Sequence, residues 1–384
     1  MKITDIKVHL VRLPARRDHN WASKMSTPIG HTAIIEIETD ADVTGWGEAP
    51  AGATWGGAHM RYYGESPETV RLIIENYLLP AVKGLDPVEI SLIHTAMDKV
   101  IKGHPYAKAA IDIACYDIAG KFLGVPVSTL LGGAHKNSIE VAHSLGIMEL
   151  EKCYAEAEAA VSEGALTIKC KTGLDAERDV TLVRELRKRL GDDIKIRVDG
   201  NEGYASVSEA VAVTLRQEEY DILLCEQPVI GAAGLAKVAE RISSPVMADE
   251  SAWNVQDILE LNSLNAAACI SLYVTKPGGL FKARQVADLA EQLGMYSDIG
   301  GSIETGIGNA ANLHLASATK IATLPSVCPV STPEGAGGPS TAGIYYLDDV
   351  IITPFKFENG RVFAPEGPGL GIEVDREKLA RYSV

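Results

Sequence analysis

The sequence predicts an α/β protein: a modified (β/α)8 TIM barrel with an N-terminal α+β capping domain that the C-terminal segment completes. Three observations carry that prediction. Residues 1 to about 50 alternate apolar and polar side chains with a period of two, as an antiparallel meander does. From about Ser138 onward the pattern changes to short apolar runs alternating with amphipathic helical stretches, the signature of parallel βα units. Finally, charged residues recur at the ends of those runs: Lys169 and Lys171, Asp199, Glu226, Asp249 and Lys276. Strand ends meet at one mouth in a barrel, so charges spaced about one βα unit apart become neighbours in space. With 384 residues the chain is long enough for a barrel plus a smaller domain.

The elements follow in order. KITDIKVHLVRL, HTAIIEIET and DVTGWGEA read as three strands, and helices are expected over 67–79, 87–102 and 106–122. The last has Ala109, Ile111, Ile113, Ala114 and Ile118 at helical spacing, and Gly124-Val-Pro stops it. Barrel strands are expected over 139–145, 166–171, 194–199, 222–226, 246–249, 269–274, 295–299 and 327–330, with helices such as 151–162, 176–190 and 280–293 between them. Eight strands close a ring better than they make an open sheet, and no GxGxxG follows the first, which weakens a dinucleotide-binding reading. From about Val350 the chain returns to short strands that pack on the N-terminal module. The expected division is therefore 1–133 for the cap, 134–345 for the barrel and 346–384 for the returning segment.

Composition narrows the partners. A net charge of −15 argues against nucleic acid or an anionic membrane as partner, so an anionic substrate needs a local positive site. MKITDIKVHLVRLPARR lacks the apolar core of a signal peptide, and no later run is long and uncharged enough to span a bilayer. The expected location is cytoplasmic. The 6 cysteines form no CxxC pair and are expected as small structural thiols, those at 170, 225, 269 and 328 inside apolar runs.

Lys169 and Lys171 stand two apart in an apolar strand, so both side chains face the barrel interior near its mouth. Burial and a nearby cation depress a lysine pKa, which makes a base usable near neutrality; a buried ion pair is the plainer alternative. Asp199, Glu226 and Asp249 each end a strand and precede turn residues. One such carboxylate is an ordinary helix cap, but three in consecutive units repel one another unless a cation sits between them. An all-oxygen set without His or Cys suits Mg²⁺, or Mn²⁺, better than Zn²⁺. Asn201 and Glu250 are expected to support those ligands. Lys276 follows the sixth strand, across the ring from the second, where a base on each face of the substrate is expected. GSIETGIG places Glu304 in a Gly-rich turn opening a helix, whose N–H groups are expected to hold a substrate anion. Two segments read as lids over a small organic substrate: 21–30, with Ile29, and GATWGGAHMRYYGESPE, with Gly hinges beside Trp55, Met60, Tyr62 and Tyr63.

Taken in order, KxK, D-x-N, E-Q-P, D-E-S, K-P-G-G, GSIETGIG and PGLGI closely resemble the enolase superfamily, in its muconate lactonizing enzyme (muconate cycloisomerase) subgroup, over nearly the whole chain. The resemblance implies Mg²⁺ or Mn²⁺ on Asp199, Glu226 and Asp249. It implies that Lys171 and Lys276 flank the substrate as acid/base groups, with Lys169 supporting Lys171. It also implies a homo-oligomer, and a small carboxylate substrate that passes through an enolate. The mandelate-racemase-like branch needs a His-Asp pair near the sixth and seventh strands, where this chain has Lys276 and no suitable His after Met295, so acid-sugar dehydration is disfavoured. CPVSTPEG replaces the D-x-D of dipeptide epimerases. WGGAHMRYYGESPE resembles the muconate cycloisomerase loop and favours lactonization of cis,cis-muconate or a substituted relative. Racemases or epimerases of N-substituted amino acids or proline betaines, and o-succinylbenzoate synthases, are the rivals within the family. Outside it, a barrel glycosidase needs only two carboxylates and gives the lysines no role. A non-catalytic relative leaves the retained metal and lysine positions without a purpose.

Overall fold

The computed structural model describes residues 1–21, 29–50, 52–55 and 64–384. His59, Met60, Tyr62 and Tyr63 of the second predicted lid, and 22–28 of the first, lie outside the described residues.

The N-terminal capping domain opens with β1 (Ile3–Arg12), β2 (His31–Thr39) and β3 (Gly45–Ala49), an antiparallel sheet in that order. Glycine alternates along β3 because a helix lies almost on its backbone. A Cβ at Gly47 would sit 1.9 Å from the carbonyl oxygen of Ala110, and one at Gly45 would sit 2.2 Å from that of Ala114. That helix, Pro105–Leu123, starts on a proline suited to its first turn and ends at Gly124, whose φ of 71° suits a residue without Cβ. Before it come Pro67–Ile73, continued through a π turn at Ile74–Leu78 into Leu79–Val82, and then Ile90–Val100. Ile35, Ile37, Leu78, Met97, Ile111 and Ile118 form the buried core of this domain.

The barrel is a parallel sheet of β5 (Ala142–Leu145), β6 (Thr167–Lys171), β7 (Lys195–Asp199), β8 (Ile222–Glu226), β9 (Val246–Ala248), β10 (Cys269–Leu272) and β11 (Tyr296–Ile299), adjacent in sequence order. Two expectations need correction. The predicted first strand, 139–145, divides at Val141. β4 (Ser138–Glu140) pairs antiparallel with β13 (Arg361–Phe363), itself the partner of β12 (Phe357–Glu358), while β5 joins the barrel. The predicted eighth strand, 327–330, is irregular. The ring is closed instead by the segment just before it, through single bridges from Ala322 to Ser297 and from Ser326 to Val141. Pro325 and Pro329 lack the N–H groups a regular ladder needs there.

The returning C-terminal segment touches both parts. Leu370 N–H donates to Asp117 of the long helix (2.9 Å), and Val127 N–H donates to the Gly369 carbonyl (2.9 Å). Arg12 N–H reaches the Tyr382 carbonyl at 2.9 Å, and Val384 N–H reaches that of Leu10 at 3.0 Å, so the chain end lies along β1. Among the described residues no helix is long and apolar enough to cross a membrane. All 6 cysteines are buried and unpaired, as expected.

Candidate active site

Parallel strands in register set residues of equal height side by side, and the charged residues form layers for that reason. Lys169 lies opposite Arg197, Lys171 opposite Asp199, and Asp199 opposite Glu226. Glu226 in turn pairs with Met247, and Asp249 comes two residues later, on the same face. The side chains meet as this register demands. Lys169 Nζ lies 2.8 Å from both Asp199 Oδ2 and Glu226 Oε1. Lys171 Nζ donates to Asp199 Oδ2 (2.6 Å) and to Asn201 Oδ1 (2.7 Å), and Asn201 Nδ2 donates to Glu250 Oε1 at 2.9 Å. Asn201 thus joins Lys171 and Asp199 to Glu250, which adjoins Asp249 in sequence.

Turns fix these strand ends. Asn201, Glu202 and Gln227 hold φ values of 41°, 59° and 32°, a left-handed cluster at the mouth. A Cβ at Gly200 would come 2.7 Å from Pro228 Cα, which accounts for the glycine in VDGN. Gln227 ties neighbouring ends together: its Oε1 accepts from Asp249 N–H (3.0 Å) and Ser251 N–H (3.1 Å).

Beneath the carboxylates lies a residue that the sequence reading passed over. Arg197, fully buried, donates to Glu226 Oε2 (2.6 Å), Asp298 Oδ2 (2.8 Å) and the Pro325 carbonyl (2.7 Å). It neutralises two carboxylates and anchors the irregular closing segment. The alternation in KIRVD was its signal, since Arg197 shares the inward face with Asp199.

Electrostatics follow from burial and pairing. Burial works against the Lys169 ammonium, but Asp199 and Glu226 outweigh it and raise the pKa above the ordinary value. The depressed lysine expected from sequence is thus not what these protein groups produce at Lys169. A cation that took those carboxylates would remove the raising influence. Burial likewise opposes the Asp199 anion, yet Lys169 and Lys171 hold its pKa below the usual range. Glu250 is pushed well up by burial and then by Asp249.

Lys276 follows β10, four strands round the ring from β6. Its side chain is 0 % exposed, with Nζ donating to Asp249 Oδ1 (2.6 Å), the Asp249 carbonyl (2.9 Å) and the Ser271 carbonyl (2.9 Å). The ring of Tyr273 covers it, with Nζ 4.1 Å from the ring centroid, and the Tyr273 hydroxyl donates to Asp249 Oδ2 at 3.2 Å. Tyr273, not Lys276, lines the pocket. Trp55 stacks on the same ring with centroids 6.1 Å apart, so the capping domain closes against the barrel at this point.

That pocket, about 870 Å³ including its open mouth, is lined by Lys169, Lys171, Asn201, Asp249 and Tyr273 from the barrel. From the N-terminal domain come His19, Trp21, Ile29, Trp55 and Tyr106. Ile29 and Trp55, one from each segment read as a lid, both line it. The turn after β11 contributes Gly300 to Ile303, but Glu304 is buried behind it, its Oε1 accepting from Ser302 N–H at 3.0 Å. The N–H groups opening helix Gly306–Ala318 are occupied too: Thr305 and Gly308 donate to Glu48, and Gly306 donates to Asp349. The anion role expected for that helix start is therefore filled by the protein's own carboxylates. Among these, burial pushes the Glu48 pKa up to about 7.

The donor set fits a hard divalent cation. Asp199, Glu226 and Asp249 offer only oxygens from the ends of three neighbouring strands, with Asn201 beside them. The lysine ammoniums interleave with them, so among the described residues no three such side chains stand as a ready-made metal cage. Charge supports the fit. Lys169, Lys171, Lys276 and Arg197 already balance Asp199, Glu226, Asp249 and Asp298, so a buried substrate carboxylate needs further positive charge.

Comparison with known proteins agrees with the architecture. Residues 152–378 match the model "Enolase C-terminal domain-like", and residues 7–132 match "Mandelate racemase / muconate lactonizing enzyme, N-terminal domain". The chain is 33% identical to the N-succinyl-L-Arg/Lys racemase of Bacillus cereus over 100% of this chain and 98% of that one. It is 32% identical to muconate cycloisomerase 1 of Rhodococcus opacus over 100% of this chain and 99% of the relative. The solved muconate lactonizing enzyme of Pseudomonas putida superposes with a TM-score of 0.87 at 28% identity, covering 100% of both chains. The chain therefore belongs to the enolase superfamily, in its muconate lactonizing enzyme subgroup, and these relatives are isomerases.

Proposed function

We propose that this protein is a divalent-metal-dependent cycloisomerase that lactonizes cis,cis-muconate or a substituted relative, with proton transfer confined to one face of the substrate. The observation that carries this reading is the asymmetry of the pocket. Lys169 and Lys171 line it, while just after β10, four strands round the ring, Tyr273 stands in front of Lys276.

Membership of the superfamily implies a divalent metal, typically Mg²⁺, and Asp199, Glu226 and Asp249 are the residues proposed to hold it. Bound there, the metal supplies positive charge opposite a substrate carboxylate. The protein's own residues do the rest. One carboxylate oxygen of muconate adds to the conjugated alkene, forming the ring C–O bond. The displaced electron pair moves to the carbon beside the other carboxylate, giving its enolate. Lys171 hands its ammonium proton to that carbon and is reloaded from water, so the dianion becomes a monoanionic lactone. Asn201 holds Lys171 in line, and Lys169 places a second positive charge beside the carboxylate. Trp55, Tyr273 and Ile29 exclude water above them.

The racemase reading draws on the Bacillus cereus relative. Two-base racemization needs a second proton carrier on the opposite face. Here that face presents a phenol whose proton is committed to Asp249, with the lysine sealed behind it. The capping unit, taken as residues 1–133 with 346–384 folded onto it, completes the pocket over barrel residues 134–345. Cytoplasmic location and a homo-oligomer, typical of the family, complete the proposal.

The test is ¹H NMR in D₂O with Mg²⁺, offering cis,cis-muconate beside N-succinyl and other N-acyl amino acids. Lactone signals from muconate are expected, with no epimerized amino acid. Inversion of an N-acyl amino acid with muconate unchanged would overturn the reading.

A further inference from the structure

We propose that Tyr273 decides which reaction the site performs: its ring fills the place on the second face of the pocket that a second proton carrier needs, and Gly300 makes room for that ring. This deepens the reading above and rests on it for a substrate held between that face and Lys171.

Leu272 and Val274 enter the apolar core, so strand alternation turns Tyr273 between them the other way, into the pocket. The ring is then held on several sides. Its hydroxyl donates to Asp249 Oδ2 at 3.2 Å, and the Trp55 ring of the capping domain lies 25° from parallel to it, with centroids 6.1 Å apart. Its edge meets the turn after β11. A Cβ on Gly300 would lie 2.0 Å from Tyr273 Cε2 and 2.6 Å from Cζ, far inside contact distance. That Cβ would also lie 2.4 Å from Ser271 Oγ, but a serine hydroxyl can rotate away and a ring pinned in this manner cannot. Gly300 is not among the glycines with left-handed φ, so its backbone would accept any residue. Space for the ring is what requires glycine there.

Lys276 does not fill this face. An ammonium has three donors, and those of Lys276 go to Asp249 Oδ1 (2.6 Å), the Asp249 carbonyl (2.9 Å) and the Ser271 carbonyl (2.9 Å). The pocket therefore presents an amine at Lys171 and an aromatic ring opposite. A reaction that needs one proton on one face proceeds there. Inversion of a carbon, which takes a proton on one face and returns one on the other, does not. In Tyr273→Lys an amine enters the second face. After the lactone C–O bond has formed, the enolate electron pair then takes its proton from either ammonium, on either face.

The test is ¹H NMR of the lactone formed from cis,cis-muconate in D₂O by Mg²⁺-saturated protein, with folding checked by circular dichroism. The carbon that takes the proton becomes a CHD group, and the two faces give distinguishable diastereomers. Wild type should give one of them, and Tyr273→Phe, which keeps the ring, the same one. Tyr273→Lys should give both. A single diastereomer from Tyr273→Lys would overturn the proposal and leave cycloisomerization standing. The opposite diastereomer from Tyr273→Phe would make the phenol the proton donor and overturn it as well. A second measurement needs no turnover. Gly300→Ala should lower the thermal midpoint of the wild type, and in the Tyr273→Lys background it should cost at most about half as much, because the ring it strikes is gone. Equal costs in the two backgrounds would overturn the pairing of Tyr273 with Gly300. If muconate is inert, the reading above fails, and the melts decide the place of Tyr273 by themselves.

Discussion

Arg197 shows how much of a barrel site is decided by residues that never meet substrate. It joins Glu226, Asp298 and the closing segment at Pro325 in one fully buried set. Replacing it with Met takes the cation from buried Asp298 and leaves Glu226 with Lys169 alone, at a cost of about 3–5 kcal/mol. Urea melts of Arg197→Met should show a loss of that size, together with weaker Mg²⁺ binding through a displaced Glu226; an unchanged midpoint would contradict the pairing. The strand-end motifs made Asp199, Glu226, Asp249 and the KxK pair legible, because one residue type at one register is a one-dimensional signal. Arg197 was harder to see. Its role depends on partners more than a hundred residues away in sequence, Asp298 and Pro325 among them. A lysine before Pro-Gly-Gly does not say which way its stem turns, so the bonds of Lys276 to Asp249 and Ser271 and the ring of Tyr273 over it were not legible in the sequence.

At the scale of elements, period and turn chemistry located the three cap strands, the long helix and seven barrel strands. The failures have a shared cause. The run 139–145 is uniformly strand-like, yet two sheets compete for it and divide it at Val141. The apolar run 327–330 lacks the backbone donors of a strand beside Pro325 and Pro329. Helix Gly306–Ala318 carries a further consequence. His314 on it accepts from Ser128 N–H at Nδ1 (3.4 Å) and faces the Leu370 carbonyl with Nε2 (3.1 Å), and burial lowers its pKa to about 4. The folded pKa is depressed, so the unfolded chain binds the extra proton first, and stability is lost as pH falls from about 6.5 towards 4. Between pH 8 and pH 5 this amounts to about 2 kcal/mol. His314→Gln keeps one donor and one acceptor, so its stability should fall less over that range in paired chemical melts. Equal pH slopes would contradict the assignment.

For the whole molecule, the catalytic unit is neither the cap nor the barrel alone. The barrel sets the charges, the N-terminal domain supplies His19, Ile29 and Trp55, and the C-terminal segment returns to lie along β1. A net charge of −15 surrounds a pocket whose lysines and proposed metal supply the positive field for an anionic substrate. In the function proposed above, proton transfer belongs to one face, through Lys171. The most direct test follows deuterium incorporation into the lactone in D₂O for Lys171→Met and Lys276→Met, each with folding and Mg²⁺ binding checked separately. Incorporation should fall at least about a thousandfold in Lys171→Met. In Lys276→Met the weakened Asp249 site should be rescued by excess Mg²⁺, with incorporation at the same single position. Loss of incorporation in metal-saturated Lys276→Met, or scrambling between both faces in the wild type, would contradict the account.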